Sequence, residues 1–390
     1  MLRTIKSSKL EIGMYVTRFV KQTGNMNLTM AGWIKTEAAM KGLIAKGILE
    51  VEIDTSKTLV AKTESENKEK SEKQKPISFD NELSRATGLY QQAKSFQKKL
   101  LNAVDREIAI DVKQVEAMSN KLVDSLERNS NALLCLTSIR EKDSYLLEHS
   151  INVGIMLATF ATYLGFDKAK IQKLAFAGVI HDIGKIKVPD EILHKPGKLT
   201  DDEFVIMRNH VNYGGDYLSQ FDDLEPSILE TVMQHHEKID GTGYPNKLRD
   251  DEIGMYGRMI SIVDCYDAMT AERVYKKGMP SMKAMKILMR ESGVHFDGDL
   301  VRKFIQCIGL YPAGTLVKMK SQKVGLVTKV NQAKPLEPEV KIFYCAKNRH
   351  YLASRDINLA ASHCKEEIEE VIKAEDYKID FQKFFTQAVA

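Results

Sequence analysis

Five of the nine histidines in this chain, together with two aspartates, have types and spacings that suit metal binding. They are His149, His181, Asp182, His210, His235, His236 and Asp264. Imidazole and carboxylate groups together suit divalent iron, manganese or zinc. Two adjacent pairs stand in dense motifs, HDIGK (181–185) and HHEKIDGTGYP (235–245). This pattern is typical of a dinuclear metal site that hydrolyses a phosphate ester.

Several of these residues lie in apolar surroundings, where an unpaired polar side chain is costly. The pair His181-Asp182 ends the run LAFAGVI, and the pair His235-His236 ends SILETVMQ. Asp264 lies inside MISIVDCYDAM. A bound metal removes that cost, so we interpret these segments as parts of one site. The isolated histidines are interpreted as ordinary core or surface residues; they are His194, His295, His350 and His363.

Length and composition exclude several classes of protein. The 390 residues suffice for two or three domains, and 43% hydrophobic with 28% charged residues is a globular composition. A net charge of +4 argues against binding of a nucleic acid polymer. No signal-peptide core begins the chain, and polar residues interrupt its most apolar stretch (151–166), so we expect no membrane insertion. Five cysteines without C-x-x-C spacing favour the cytoplasm.

The predicted fold class is mainly α, with smaller mixed and β-rich parts. Residues 1–60 predict a small α+β domain, for which a regulatory role is one option, with strands in MYVTRFV and LEVEID and a helix in KTEAAMKGLIAKG. Residues 61–78 are rich in charge and predict a flexible linker. Residues 79–130 repeat apolar residues every three or four positions and predict a helical connector. The apolar face that this repeat forms could also be a contact surface in a homodimer through residues 1–130.

The remaining two segments carry the candidate ligands and a change of pattern. Residues 131–310 alternate helical segments with motif loops and hold every candidate ligand. Residues 311–390 predict a β-rich C-terminal extension that packs on them, with a hairpin in YPAGTLVKMKSQKVGLVTKV and a strand in EVKIFYCA. EEIEEVIKAEDY predicts a short closing helix.

Four blocks in order carry a resemblance to a known family. They are HDIGK, HHEKIDGTGYP, IVDCYDAMTAERVYK (262–276) and HFDGDLV (295–301). Over residues 130–310 the chain resembles the HD-GYP phosphodiesterases, a branch of the HD superfamily of metal-dependent phosphohydrolases. Residues 1–60 resemble a small domain of unknown function that often precedes this module in bacterial proteins.

The resemblance implies a helical HD-superfamily catalytic domain that hydrolyses cyclic di-GMP, a bacterial second messenger, to the linear dinucleotide and on to GMP as an optional second step. It implies two divalent metals, iron or manganese, with nickel or zinc as alternatives in a purified sample. One metal is then held by His149, His181, Asp182 and Asp264, and the other by Asp182, His210, His235 and His236. Asp182 bridges the two.

The resemblance also assigns roles around the metals. Asp182 and Lys185 are the implied catalytic residues, and Lys185 reaches the nonbridging phosphate oxygens or the nucleophile. Arg273, Lys276 and Tyr244 are implied substrate contacts, the first two on phosphate or guanine. Asp267 is expected to support a metal ligand or Lys185.

One departure from the family pattern bears on the number of metals. Some members hold a third metal with a Glu four residues before the first histidine, where this chain has Tyr145. Glu148 is spaced wrongly for that role, so we predict a dinuclear site.

Two alternatives to cyclic di-GMP hydrolysis stay open from the sequence. Hydrolysis of 3′,3′-cyclic GMP-AMP fits the same motifs, because base-reading contacts lie outside them. A non-hydrolysing cyclic dinucleotide sensor is the second. The loop DGTGYP (240–245) is predicted to be a tight turn that shapes the pocket, with protein partners as a further use.

Overall fold

The computed structural model describes residues 2–11, 14–23, 32–34, 42–45, 47–58, 77–139, 145–272 and 278–380. The chain forms two compact units, Met1–Gln74 and Lys75–Ala390. The finer domain boundaries proposed from the sequence stay predictions. None of the described helices is long and apolar enough to cross a membrane.

The first unit is built on an antiparallel sheet in the order β1-β4-β2-β3. Its strands are β1 (Leu2–Lys6), β2 (Met14–Gln22), β3 (Gly32–Trp33) and β4 (Ile48–Thr58). Val16 and Val51 lie in its core. The two predicted strands are confirmed as β2 and β4. Most of the helix predicted in residues 35–47, and nearly all of the predicted linker, lie outside the described residues.

Among the described residues, residues 42–45 of the first unit are helical, and the second unit contains twelve helices, which confirms the mainly α fold class. The first two are α1 (Phe79–Asp105) and α2 (Val112–Thr137). The break between them is set by Asp111, whose carboxylate accepts hydrogen bonds from the backbone N–H groups of Lys113 and Gln114. The predicted apolar stripe is their buried face.

The next nine helices carry or surround the candidate ligands. They are α3 (Tyr145–Tyr163), α4 (Lys168–Ile180), α5 (Asp190–Leu193), α6 (Asp201–Arg208), α7 (His210–Leu218), α8 (Pro226–Gln234), α9 (Met255–Thr270), α10 (Ser281–Arg290) and α11 (Gly298–Ile308). Buried residues of most of these helices, such as Ile155 of α3 and Phe304 of α11, share one apolar core with Leu83 of α1 and Leu133 of α2.

A glycine contact brings together the two helices that present the first ligands. A Cβ added at Gly178 of α4 would lie 2.5 Å from the Cα of Gly154 in α3. No side chain fits in that space, so the two backbones pack directly against each other. This contact fixes α3, which carries His149, against α4, which ends just before His181.

The second unit ends in an antiparallel sheet in the order β8-β7-β6-β5-β9. Its strands are β5 (Leu316–Met319), β6 (Lys323–Lys329), β7 (Glu339–Cys345), β8 (His350–Asn358) and β9 (Ile368–Val371). The predicted hairpin is confirmed as β5 and β6, and the predicted strand as β7. Leu316, Leu326 and Phe343 join the apolar core of the helices.

The helix predicted in EEIEEVIKAEDY is wrong in its first half. Residues Ile368–Val371 form β9, which pairs with β5, and only the one-turn helix α12 (Ala374–Tyr377) follows. Lys318 of β5 lies 2.5 Å from Glu370 and 3.4 Å from Glu369. These cross-strand ion pairs offset the repulsion among the glutamates, a tertiary effect that local sequence does not reveal.

Candidate metal centre

The candidate ligands are carried by helices or lie where helices begin and end. Helix α4 ends at Ile180, His181 is its C-cap, and Asp182 precedes a 3-10 turn over Ile183–Lys187. Helix α8 ends at Gln234, just before the pair His235-His236. The remaining ligands are His149 on α3, His210 as the first residue of α7, and Asp264 on α9. Side chains from five segments thereby converge.

All the predicted ligands come together as two groups, each able to hold a metal ion. Within each group one ligand atom per residue lies within 4.8 Å of all the others. The first group is His149, His181 and Asp264, and the second is Asp182, His210, His235 and His236. His236 is about a quarter exposed, while the others are buried. A small opening to solvent therefore lies on the His236 side.

Asp182 lies between the two groups and turns one oxygen towards each. Its Oδ2 atom lies 3.3 Å from Nε2 of both His149 and His181. Its Oδ1 atom lies 3.4 Å from Nε2 of His210 and 3.7 Å from Nε2 of His235. This is the geometry needed by a carboxylate that bridges two cations.

Hydrogen bonds on the far side of the rings fix how the histidines face the centre. Nδ1 of His149 lies 2.8 Å from Oδ2 of Asp267. Nδ1 of His181 and Nδ1 of His210 lie 2.8 Å and 2.7 Å from the carbonyl oxygens of Gly178 and Met207. Because Nδ1 then carries the proton, Nε2 presents its lone pair to the centre.

Two buried polar atoms show that this centre fits a metal. Nε2 of His181 and Oδ1 of Asp182 are buried and make no hydrogen bond with the described residues. Buried polar atoms in folded proteins almost always have a partner. A cation in each group would supply these partners, and the mixed imidazole and carboxylate donors suit a divalent transition metal.

The carboxylates of the centre stay ionised despite their burial. Burial by itself raises the pKa of Asp182, but the charges of His181 and Lys185 outweigh it and hold that pKa well below the usual range. Burial acts on Asp264 in the same way, but the neighbouring imidazoles of His149, His181 and His236 outweigh it and keep its pKa well below the usual range. The carboxylates of Asp182 and Asp264 therefore both carry a negative charge at neutral pH, which favours binding of a cation.

Most of the histidines are held neutral, which is the form that binds metals. Burial, helped by the charge of Lys185, lowers the pKa of His210 to about 4. Burial also lowers the pKa of His236 to about 3, against the attraction of Asp264. For His181 burial again lowers the pKa, but Asp182 and Asp264 outweigh it and raise it overall. The raised pKa means that His181 holds a proton beside these two carboxylates, and a divalent cation can replace that proton.

Lys185 and Gly184 fix the turn that follows Asp182. The Nζ atom of Lys185 lies 2.5 Å from Oδ2 of Asp182 and is partly exposed. A Cβ at Gly184 would overlap the carbonyl oxygen of His210 and the backbone nitrogen of Gly214. Only glycine permits this close approach of the turn to α7, and the approach places His210 opposite Asp182.

The loop after His236 folds back over that histidine. The N–H of Tyr244 donates to the carbonyl oxygen of His236, and the two rings lie 4.7 Å apart. Glu237 accepts hydrogen bonds from the N–H groups of Asn246 and Leu248. The loop is therefore a tight turn, and it brings Tyr244 to the edge of the centre.

Several predicted residues lie away from the centre or cannot be described. Arg273 and Lys276 lie outside the described residues, as does the side chain of Tyr145. The carboxylate of Glu148 lies 2.9 Å from Nζ of Lys94 on α1. His295 contacts Glu291 and Asp240 instead of the cluster.

Sequence reasoning missed the ion pair of Lys94 with Glu148 beside the first ligand. Both side chains are largely buried, and Tyr90, one turn before Lys94, donates to Oδ1 of Asn152 on α3. Their sequence signal is weak: a glutamate in the apolar stretch LLEHSINVGIML and a lysine near an apolar stripe. Helix α1 thereby contacts the helix that carries His149 through polar groups as well as apolar ones.

Family models match most of the chain in two parts. Residues 120–300 match the HD domain, and residues 2–115 match a domain of unknown function (DUF3391). An HDG"Y"P protein from Bdellovibrio bacteriovorus has a similar fold, with a TM-score of 0.50, 17% identity, and coverage of 78% of this chain and 98% of that one. The fold and the His/Asp cluster thus define an HD-domain phosphohydrolase, a class that binds divalent metals.

Relatives place the chain within that class. A cyclic di-GMP phosphodiesterase of Pseudomonas aeruginosa is 33% identical over 283 residues, which cover 73% of this chain and 68% of that protein. The 3′3′-cGAMP-specific phosphodiesterase 2 of Vibrio cholerae is 33% identical over 221 residues, which cover 56% of this chain and 42% of that protein. The chain belongs to the HD-GYP family of cyclic dinucleotide phosphodiesterases.

Proposed function

We propose that this protein hydrolyses cyclic di-GMP to the linear dinucleotide at the His/Asp centre. The observation that carries the proposal is the position of Asp182, with one carboxylate oxygen facing each group of ligands. The cyclic di-GMP phosphodiesterase of Pseudomonas aeruginosa, which aligns with 73% of this chain, supports this substrate.

The first group, with Oδ2 of Asp182, would hold one metal, and the second group, with Oδ1, would hold the other. Iron or manganese suits these donors, with zinc or nickel as replacements in a purified sample. When bound, the pair of metals lowers the pKa of a water and neutralises charge on the attacked phosphoryl group.

The residues of the chain position and protect this chemistry. Asp182 keeps its negative charge at neutral pH and sets the separation of the two groups. Lys185 lies beside Asp182, where its amine can donate hydrogen bonds to a nonbridging oxygen of the bound phosphodiester. Burial of most of the centre limits water and strengthens these electrostatic interactions.

Substrate contacts outside the centre complete the proposal. Tyr244, whose ring lies beside His236, would contact the ligand at the exposed edge. Arg273 and Lys276 remain proposed contacts to phosphate or guanine, because their residue types suit such groups. Cleavage of the linear dinucleotide to GMP stays a proposed second step.

A second candidate substrate is 3′,3′-cyclic GMP-AMP. The relative of Vibrio cholerae that is specific for this dinucleotide has the same identity, 33%, over a shorter part of this chain. The metal centre acts on the phosphodiester, which the two dinucleotides share, so it does not choose between them. A non-hydrolysing sensor is the third candidate, and the complete ligand set speaks against it.

Three further parts of the proposal concern the setting of the enzyme. The five free cysteines support a cytoplasmic location. A homodimer through residues 1–130 and protein partners at residues 240–245 stay predictions. The ligand class is a cyclic dinucleotide, and no nucleic acid polymer is proposed.

The test is anaerobic turnover of cyclic di-GMP and 3′,3′-cyclic GMP-AMP side by side, after loading with Mn²⁺ or Fe²⁺. Faster hydrolysis of cyclic di-GMP is expected, with the linear dinucleotide as the first product. Faster hydrolysis of 3′,3′-cyclic GMP-AMP would make that dinucleotide the proposed substrate in place of cyclic di-GMP. Tight binding of either ligand without turnover, in fully loaded protein, would leave only the sensor.

A further inference from the structure

A guanidinium group lies against two aromatic rings at the edge of the metal centre. The Cζ atom of Arg208, the last residue of α6, lies 5.0 Å from the ring centre of Phe204 and 5.8 Å from that of Tyr244. The two rings are 6.3 Å apart and nearly perpendicular. Cation–π contacts of this kind orient an arginine while leaving its N–H groups available.

This arrangement is continuous with the candidate ligands. The Tyr244 ring lies 4.7 Å from the ring of His236 and 6.4 Å from that of His210. The ring of Tyr244 therefore lies beside both Arg208 and two ligands of the second group, His236 and His210. It also lies two residues before His210 in the chain, so its backbone position is fixed together with that ligand.

The positive charge of Arg208 is not neutralised by an ion pair within the described residues. None of the described carboxylates forms an ion pair with it, whereas Glu203 of the same helix pairs with Lys195. The two aromatic contacts are made at the Cζ atom, and the N–H donors of the guanidinium lie in its plane. Such a planar fork binds a phosphate oxygen pair well.

We propose that Arg208 binds the phosphodiester of the substrate that is not being cleaved. This inference rests on the proposed function. A cyclic dinucleotide carries two phosphodiesters, and only one can lie at the metal centre at a time. The other needs a cation close to the centre but outside it, and Arg208 is placed there by Phe204 and Tyr244.

The proposal assigns Arg208 to binding and leaves the metals and the attacked bond to other residues. Loss of a charge-assisted hydrogen bond is expected to raise KM for cyclic di-GMP by about 10- to 100-fold in Arg208→Gln. The variant Arg208→Lys keeps the charge but loses the fork, so an intermediate KM is expected. Metal content should not change in either variant.

The experiment compares two substrates that differ in the number of phosphodiesters. Cyclic di-GMP has two, while bis(p-nitrophenyl) phosphate has one and no purine. The matched control is Arg290→Gln, which removes a well-exposed arginine of α10 that pairs with Glu291. Wild type and variants are loaded with Mn²⁺, assayed for metal, and checked for an unchanged unfolding midpoint.

The expected result is a raised KM for cyclic di-GMP in Arg208→Gln only, with unchanged turnover of the single phosphodiester. An unchanged KM for cyclic di-GMP, or equal losses on both substrates, would overturn the assignment. If loaded wild type cleaves neither cyclic dinucleotide, the proposed function fails separately. The Kd of cyclic di-GMP from calorimetry then replaces KM, and an equal Kd in wild type and Arg208→Gln overturns the inference.

Discussion

Asp267 and His149 form a buried pair, with Oδ2 of the aspartate 2.8 Å from Nδ1 of the imidazole. Nε2 of the same ring lies 3.0 Å from Oδ1 of Asp264. Asp267 therefore fixes which nitrogen of His149 faces the metal centre. From the sequence, Asp267 was expected to support either a metal ligand or Lys185, and this contact is with the proposed ligand.

The first prediction concerns this pair. Asp267→Asn replaces a charged acceptor by an amide, so His149 becomes less basic and less well oriented. We expect metal affinity to fall by about 10- to 100-fold, measured by competition with a chelator. The matched control is Asp297→Asn, which changes an aspartate that caps α11 and pairs with Arg258. Equal metal affinities in the two variants would contradict the role of Asp267.

The second prediction concerns the ion pair of Lys94 and Glu148. Lys94→Met removes an amine 2.9 Å from a carboxylate that is 2% exposed and next to His149 in the chain. Breaking a buried ion pair in this way costs about 3–5 kcal/mol of stability. We expect unfolding in urea at a lower concentration, and weaker metal binding as well, because α3 shifts with Glu148.

An ion pair between α1 and α2 provides the control. Arg128 of α2 lies 2.8 Å from the buried carboxylate of Glu82 on α1, and Glu82 precedes Lys94 by 12 residues, or about 18 Å of helix. Arg128→Met should destabilise the protein without changing metal affinity. If both variants bind metal like the wild type, helix α1 does not position His149.

The third prediction concerns Gly184 in the HDIGK motif. An alanine there meets the backbone of His210 and Gly214, which cannot move away like a flexible side chain. We expect Gly184→Ala to destabilise the protein by at least about 1–3 kcal/mol in urea unfolding. Gly88→Ala in α1, where a Cβ meets nothing within 4 Å, should instead stabilise by about 0.5–1 kcal/mol. Similar effects at both glycines would show that the turn tolerates a side chain.

The fourth prediction concerns pH and the protein stripped of metal. Burial lowers the pKa of His210 to about 4, while an unfolded histidine titrates near about 6.5. Between these two pKa values the unfolded chain binds more protons than the folded protein. The contribution of His210 to the free energy of unfolding is therefore complete above about pH 6.5 and is lost as the pH falls towards about 4. His236 acts in the same direction. The raised pKa of His181 has the opposite effect on stability, but only at pH values above the pKa of an unfolded histidine.

The expected size is about 3 kcal/mol for His210 across the whole window. The measurement is the free energy of unfolding in urea at pH 7 and pH 5 with a chelator present. His210→Asn should show a shallower decrease than the wild type. Equal decreases in the two proteins would mean that His210 is not held neutral by burial.

The ligand set could be predicted from the sequence because metal ligands leave a local signal. Pairs such as His181-Asp182 end apolar segments, and burial of polar groups there requires a partner. The helix ends at Ile180 and Gln234 follow from the same segments. The mainly α fold class also follows, since the spacing of apolar residues in α1 and α2 is a local property.

The remaining features depend on contacts between distant parts of the chain. Lys94 and Glu148 are 54 residues apart, and nothing in either neighbourhood indicates the other. The strand β9 is paired with β5 through Lys318, which the local sequence of its glutamates does not reveal, so that segment resembles a helix in isolation. Phe204 lies one turn before Arg208 in the same helix, but the sequence does not indicate that the ring of Tyr244 comes from a separate loop to contact Arg208 as well.

The most direct test measures metal content and anaerobic hydrolysis of cyclic di-GMP in the same samples of wild type and Asp182→Asn. The account predicts about two metals per chain and turnover in the wild type. It predicts the loss of at least one metal and of turnover in Asp182→Asn, because Asp182 faces both ligand groups. Full turnover in Asp182→Asn, or a fully metal-loaded wild type that cleaves no cyclic dinucleotide, would contradict it.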